Sequence, residues 1–175
     1  MDLKELISKK EIDAKITELS GVIINDFGSS VYAMTVLEGA RVFSNYLIQN
    51  LRTNSSTVEN DYIKLSSYNE GTESSGKITI KKNPEKDYKG KKILIIEDII
   101  DTGLTLKFLK DYLTRNGASQ VKICTLLDKP SRRTVKITPD YCGFTIQNLF
   151  VVGFGIDFNE QYRELPCIYY IEPNT

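Results

Sequence analysis

The sequence predicts an α/β fold with a mostly parallel central sheet flanked by helices. Three observations lead there. Strand-like and helix-like segments alternate through the middle of the chain, the pattern that builds parallel sheets. Lys92 to Ile96 is an apolar run bounded by charge, the mark of a strand covered on both faces. The 175 residues carry 41% apolar and 26% charged side chains, enough for one globular core, with no repeat or linker to divide it.

The elements follow in order. Ile12, Ile16, Leu19 and Ile23 recur at helical spacing and predict an amphipathic helix over 9–26, broken by Gly28-Ser29-Ser30. Val31 to Leu37 is a buried strand, Glu38-Gly39-Ala40 a tight turn, and Ala40 to Leu51 a second helix carrying Val42, Phe43, Tyr46 and Leu47. Asp61 to Ser66 and Lys77 to Lys81 are strands on either side of a small, polar, mobile loop over 67–76. After the turn Lys89-Gly90-Lys91 comes the Lys92–Ile96 strand, then a helix over 103–115 stopped by Asn116-Gly117. Val121 to Leu127 is the next strand, residues 128–140 a basic loop, Tyr141 to Ile146 and Leu149 to Val152 short strands, 153–163 irregular, and Ile168 to Ile171 the last strand.

Composition narrows the chemistry. Basic and acidic residues balance at 23 each, which argues against a nucleic-acid or membrane-surface role. Cys124, Cys142 and Cys167 are widely spaced with no Cys-x-x-Cys, so they predict reduced thiols in a cytoplasmic protein rather than a disulfide framework or a zinc site. No signal peptide is evident, and no apolar run approaches the roughly 20 residues of a membrane helix. Histidine is absent, which removes imidazole catalysis and points any metal toward oxygen ligands, hence magnesium or manganese.

One string concentrates the chemistry: Ile93-Leu-Ile-Ile-Glu97-Asp98-Ile-Ile-Asp101-Thr102-Gly103-Leu104-Thr105-Leu106. Glu97 and Asp98 close a buried strand, at the edge where open α/β sheets bind ligands. Paired carboxylates there need hydroxyls or a cation to meet them, as vicinal ribose hydroxyls with hydrated magnesium would. Asp101 to Thr105 then opens a helix, whose first amides and dipole favour an anion, with Gly103 allowing close approach. The loop lacks the Gly-x-x-x-x-Gly-Lys-Ser/Thr spacing of a triphosphate loop and suits a single sugar phosphate. Capping alone would explain Asp and Thr at a helix start, but not the acid pair before them.

This string resembles the signature of the type I phosphoribosyltransferases. Further segments are similar to the hypoxanthine(-guanine) phosphoribosyltransferases in particular: Ser67-Tyr68 with Thr72 to Gly76, Leu127 to Arg133, and Phe150 to Pro166. The resemblance implies one domain over 1–175, with a small hood formed by the N- and C-terminal segments. It implies transfer of the phosphoribosyl group from phosphoribosyl pyrophosphate to hypoxanthine, and to guanine, with magnesium, in a homodimer or homotetramer. By position it gives Glu97 and Asp98 the ribose and the metal, with Asp157 as a further metal ligand. Asp101 would be the general base near purine N7. Thr102, Gly103, Leu104 and Thr105 would hold the 5′-phosphate. Lys129 would meet the C6 oxygen, Phe150 the base face, the Val151 backbone the pyrimidine edge, and Arg163 the pyrophosphate. Ser67 and Tyr68 would belong to the flexible catalytic loop, and Glu38 and Gly39 to the pyrophosphate loop.

That last loop departs from the family pattern, Leu-Lys-Gly: here it is Leu37-Glu38-Gly39-Ala40. The charge change predicts weaker pyrophosphate binding, relieved by Glu38→Lys, unless Glu38 turns away or pairs with a cation. Two other readings compete with purine salvage, a phosphoribosyltransferase with an altered acceptor base and a non-catalytic nucleotide-binding regulator. Asp101, Lys129, Asp157 and Arg163 together favour the enzyme.

Overall fold

The computed structural model describes residues 2–54, 56–68 and 77–172. In chain order these are β1 (Asp2–Ile7), α1 (Lys9–Phe27), β2 (Ser30–Leu37), α2 (Arg41–Thr53), β3 (Thr57–Tyr68), β4 (Lys77–Lys82), β5 (Lys92–Ile100), α3 (Leu104–Arg115), β6 (Gln120–Asp128), a 3-10 turn (Pro130–Arg132), β7 (Tyr141–Thr145), β8 (Val151–Val152) and β9 (Ile168–Glu172).

Alternation along the strands sorts the core into two layers. Leu94 and Ile96 face one way with Cys124 and Leu126, against Ile12, Ile16, Leu19 and Ile23 of α1 and Phe43, Leu47 and Leu51 of α2. Ile93, Ile95 and Ile123 face the other way, against Leu106, Leu109 and Leu113 of α3. Each such side chain contributes roughly 1.5–3 kcal/mol by leaving water. Both faces of β5 are covered, so its apolar run has no polar alternation.

The larger sheet has the order β4-β3-β2-β5-β6-β7. Its β2–β3, β2–β5, β5–β6 and β6–β7 pairs are parallel, and β4 runs antiparallel to β3. This is the mostly parallel sheet that the sequence predicts. From β2 the chain turns to β3 on one side, and β5 fills the other. The carboxyl ends of β2 and β5 therefore flank a topological switch point, where such sheets hold ligands. A second sheet, β1-β9-β8, joins the two ends of the chain antiparallel, with Asp2 opposite Glu172.

Three elements depart from expectation, while α1 starts where its spacing predicts. β1 is not expected, because half of its residues, Asp2, Lys4 and Glu5, are exposed and charged. Helix α1 begins at Lys9 behind a capping box, in which Glu11 N–H donates to Ser8 Oγ and Ser8 N–H to Glu11 Oε2. β3 starts at Thr57 rather than Asp61, since its polar residues still find backbone partners along β2. β5 does not stop at the acid pair but continues to Ile100, because β6 supplies partners as far as Asp128.

Asp61 ties the 83–91 connection to the sheet. It is buried and accepts N–H groups from Tyr62 (2.8 Å), Glu85 (2.9 Å) and Lys86 (2.7 Å), and the hydroxyl of Tyr32 (3.0 Å). Burial pushes its carboxyl up, but the Lys86, Glu85 and Tyr62 amides outweigh this and hold it below its ordinary value. Asp61→Ala is expected to cost on the order of 3 kcal/mol in urea unfolding at pH 7. Because the folded pKa is depressed, this stabilisation is present above the ordinary value of 3.8 and is lost as pH falls below it. A gap between variant and wild type that persists well below that pH would contradict the assignment.

Candidate active site

At the switch point the chain gathers most of the residues that the sequence singles out. A hollow of about 150 Å³ is lined by Glu97, Asp98, Asp101, Thr102, Gly103 and Thr105. Leu104 stands outside it, exposed on the first turn of α3. Gly103 caps that helix in the left-handed region (φ 87°), and no side chain caps it. A Cβ there would lie 2.5 Å from Ile137 Cγ2, so glycine is required by space as well as by φ. Leu104 N–H meets only Thr102 Oγ1, at 3.4 Å. The leading amides of α3 thus remain able to receive an anion.

The acid pair is the electrostatic centre. Glu97 is buried and Asp98 half-buried. Asp98 N–H donates to Glu97 Oε1 (3.0 Å) and Ile99 N–H to Asp98 Oδ1 (2.7 Å). Burial pushes the Glu97 carboxyl well up, and the Asp98 charge adds to that. Burial also raises Asp98, against the Glu97 and Ile99 hydrogen bonds and the Arg163 charge. Two desolvated acids in this state fit a divalent cation, which would remove the cost of ionising them.

The loop after β2 presses on this pair. The Leu37–Glu38 peptide is cis, and Gly39 lies so close that a Cβ would stand 1.9 Å from Asp98 Oδ2. Gly155 (φ 98°) closes on Gly39 in turn, since a Cβ there would meet Gly39 O at 2.4 Å. Glu38 points to cations: Arg41 Nη2 donates to its Oε2 at 3.1 Å, and Lys64 Nζ lies 3.6 Å from Oε1.

On the opposite flank, Lys129 is buried beyond the end of β6, its N–H donating to Ile100 O (2.9 Å). Burial lowers its pKa, while the Asp101 charge opposes the shift. Arg132 Nε donates to Asp101 Oδ1 (3.0 Å). Arg133 donates to Asp101 O (2.7 Å) and to Ile137 O (3.0 Å), and also pairs with the Asp128 carboxylate. The roles of Arg132 and Arg133 were not foreseen. The signal available was two adjacent guanidinium groups, three and four residues after Lys129, in a loop that follows a strand end.

The C-terminal residues form a separate arc. Phe150 is exposed, edge-on to Phe158 with ring centres 5.2 Å apart. Val151 is buried in β8, at the edge of the small sheet. Arg163 donates to Gly155 O (2.7 Å) and pairs with Asp157 at 2.9 Å. Asp157 therefore faces Arg163, and among the described residues no three acidic or thiol side chains converge on one point. Ser67 is exposed and, with the backbone of Tyr68, pairs with β4. The rest of the expected mobile loop, 69–76, lies outside the described residues.

A family model for the phosphoribosyl transferase domain matches residues 2–159. The hypoxanthine-guanine phosphoribosyltransferase of Lactococcus lactis is 45% identical over 173 residues, 98% of this chain and 92% of that protein. The crystal structure of a hypoxanthine phosphoribosyltransferase from Staphylococcus aureus superposes with a TM-score of 0.91 at 36% identity, covering 97% of this chain and 91% of that one. A hypoxanthine-guanine phosphoribosyltransferase from Bacillus anthracis gives 0.88 at 42% identity, with 95% of each chain covered. None of the described helices is long and apolar enough to cross a membrane.

Two outcomes follow from the crowding at the acid pair. Gly39→Ala should cost about 1–3 kcal/mol by overpacking, and Asp98→Ala in the same chain should recover most of it. Strictly additive losses in urea unfolding would place Asp98 away from Gly39. In metal-free buffer, Glu97→Gln should be more stable than wild type at pH 7. The folded pKa of Glu97 is raised, so wild-type stability declines as pH climbs above the ordinary value of 4.5, and the advantage of glutamine should vanish near that value. Thermal melts across that range decide it.

Proposed function

The chain belongs to the phosphoribosyltransferase family, and on that premise we propose that it salvages 6-oxopurines. It transfers the 5-phosphoribosyl group of phosphoribosyl pyrophosphate to hypoxanthine, and to guanine, releasing pyrophosphate. One observation carries this reading. The acid pair Glu97–Asp98, Asp101 and the open start of α3 line one hollow at the switch point, and Lys129 lies on the flank where the Asp101 charge reaches it.

The residues divide the work. Asp101 to Thr105 receive the 5′-phosphate through backbone amides and the Thr102 and Thr105 hydroxyls. Glu97 and Asp98 accept the ribose 2′- and 3′-hydroxyls and hold the water shell of magnesium, with Asp157 as a further ligand once it parts from Arg163. Magnesium, when bound, supplies positive charge to the departing pyrophosphate. Phe150 covers one face of the base, the Val151 backbone reads its pyrimidine edge, and Lys129 donates to the C6 oxygen. The base attacks C1′ through N9, the C1′–oxygen bond to pyrophosphate breaks, and the proton at N7 passes to the Asp101 carboxylate. Arg163 and the 38–40 amides meet the leaving group. Ser67, Tyr68 and the segment that follows them close over it and exclude water. The β1-β9-β8 sheet with 146–163 serves as the hood over the base. The family resemblance further supports a homodimer or homotetramer at work in the cytoplasm.

The test is direct. The protein is incubated with phosphoribosyl pyrophosphate, magnesium and, separately, hypoxanthine, guanine, xanthine and adenine. Nucleotide is expected with the first two, and no product with any base would sink the reading. Asp101→Ala should lower turnover by about 10²–10⁴-fold, the usual share of general acid–base catalysis, with inosine monophosphate still bound. Undiminished turnover would remove Asp101 from its role.

A further inference from the structure

Glu38 puts a carboxylate on the loop that must face a polyanion, yet its charge is not left over. Its two oxygens hold two different cations, Arg41 at 3.1 Å on Oε2 and Lys64 at 3.6 Å on Oε1. The contacts are built into the backbone. Arg41 N–H donates to Glu38 O (3.1 Å), and the β2–β3 register sets Lys64 opposite Leu37. The Tyr62 ring, two residues before Lys64 and so on the same face of β3, lies 5.6 Å from the Arg41 guanidinium. One acid and two bases leave the cluster with a charge of +1, beside the glycine that touches Asp98.

We propose that Arg41 and Lys64 bind the pyrophosphate end of phosphoribosyl pyrophosphate, and that Glu38 is a positioning residue that holds both at the loop edge. This rests on the function proposed above. Both side chains are about half exposed (49% each), so neither is committed to a buried contact. Arg41 gives one of its five N–H donors to Glu38 and keeps the rest for oxygen acceptors. The Lys64 contact is too long for a hydrogen bond and is one of charge alone. Glu38 separates two cations that would otherwise repel. A lysine at position 38 would set three like charges together and disperse them, so Glu38→Lys should not improve binding although it adds positive charge.

Initial rates for wild type, R41A, R41K, K64A and E38K, with phosphoribosyl pyrophosphate varied at saturating hypoxanthine, test this. R41A and K64A should each raise KM for phosphoribosyl pyrophosphate by about three- to tenfold, as expected for a lost charge-assisted contact. KM for hypoxanthine should stay within about twofold, and the penalty in kcat/KM for phosphoribosyl pyrophosphate should shrink in high salt as the charges are screened. R41K should recover most of the loss, and E38K should leave KM unchanged or raised. The proposal is overturned if R41A and K64A both leave KM unchanged, or if E38K lowers it threefold or more. If wild type forms no nucleotide, the functional reading fails first. The cluster is then judged by calorimetric titration with pyrophosphate and magnesium, and equal affinity for wild type and R41A overturns it too.

Discussion

Two consecutive carboxylates withheld from water near the end of β5 set the terms for everything around them. Burial makes both expensive to ionise, and for Glu97 the charge of Asp98 adds to the cost. The protein keeps them there by covering both faces of the strand and by bringing Gly39, which has no side chain to obstruct, against Asp98. Gly155 presses on Gly39 from behind, so the loop after β2 and the segment after β8 are packed into one unit around the acids. On the proposed function, a cation and a diol would relieve the cost of ionising this pair.

Much of this was legible in residue order. The apolar run of β5, the acid pair and the Asp101–Thr105 loop stand together in the sequence, and local chemistry sufficed to connect them. The helices followed from spacing, because Ile12, Ile16, Leu19 and Ile23 can share one buried face in no other secondary structure. The rest depends on contacts between distant segments. β1 is half charged and becomes a strand only because β9 pairs with it. Arg132 and Arg133 gain their positions through the backbone and side chain of Asp101, some thirty residues away. The charge at Glu38 was apparent, but its neutralisation by Lys64 requires the β2–β3 register, which no local pattern specifies.

A common arrangement runs through the site. Asp101 faces Arg132, Asp157 faces Arg163, and Glu38 faces Arg41 and Lys64. Each pair is partly exposed and so of modest strength. On the proposed function, binding substrate would be largely an exchange of partners, in which a phosphate, a metal or a purine nitrogen takes the place of a side chain. Such a pocket keeps its charged groups oriented without holding any of them too tightly to give up. Glu97 and Asp98 are the exception, having no cation of their own within hydrogen-bond reach among the described residues.

The small sheet has a temporal meaning. Lys4 and Glu172 form an ion pair across 168 residues of chain, whereas β5, α3 and β6 are neighbours in sequence as well as in space. Closing the longer loop costs more entropy and is favoured only after the intervening chain has compacted. On a ribosome, the hollow at the switch point has all its strands before Ile168 is made, and the arc that carries Phe150 and Val151 has not. Pulse-labelled hydrogen exchange should therefore find β5 and β6 amides protected ahead of those in β1. On the proposed function, maturation would run from the sugar-phosphate end of the pocket to the purine end, and a nascent chain would hold a phosphate before it could choose a base.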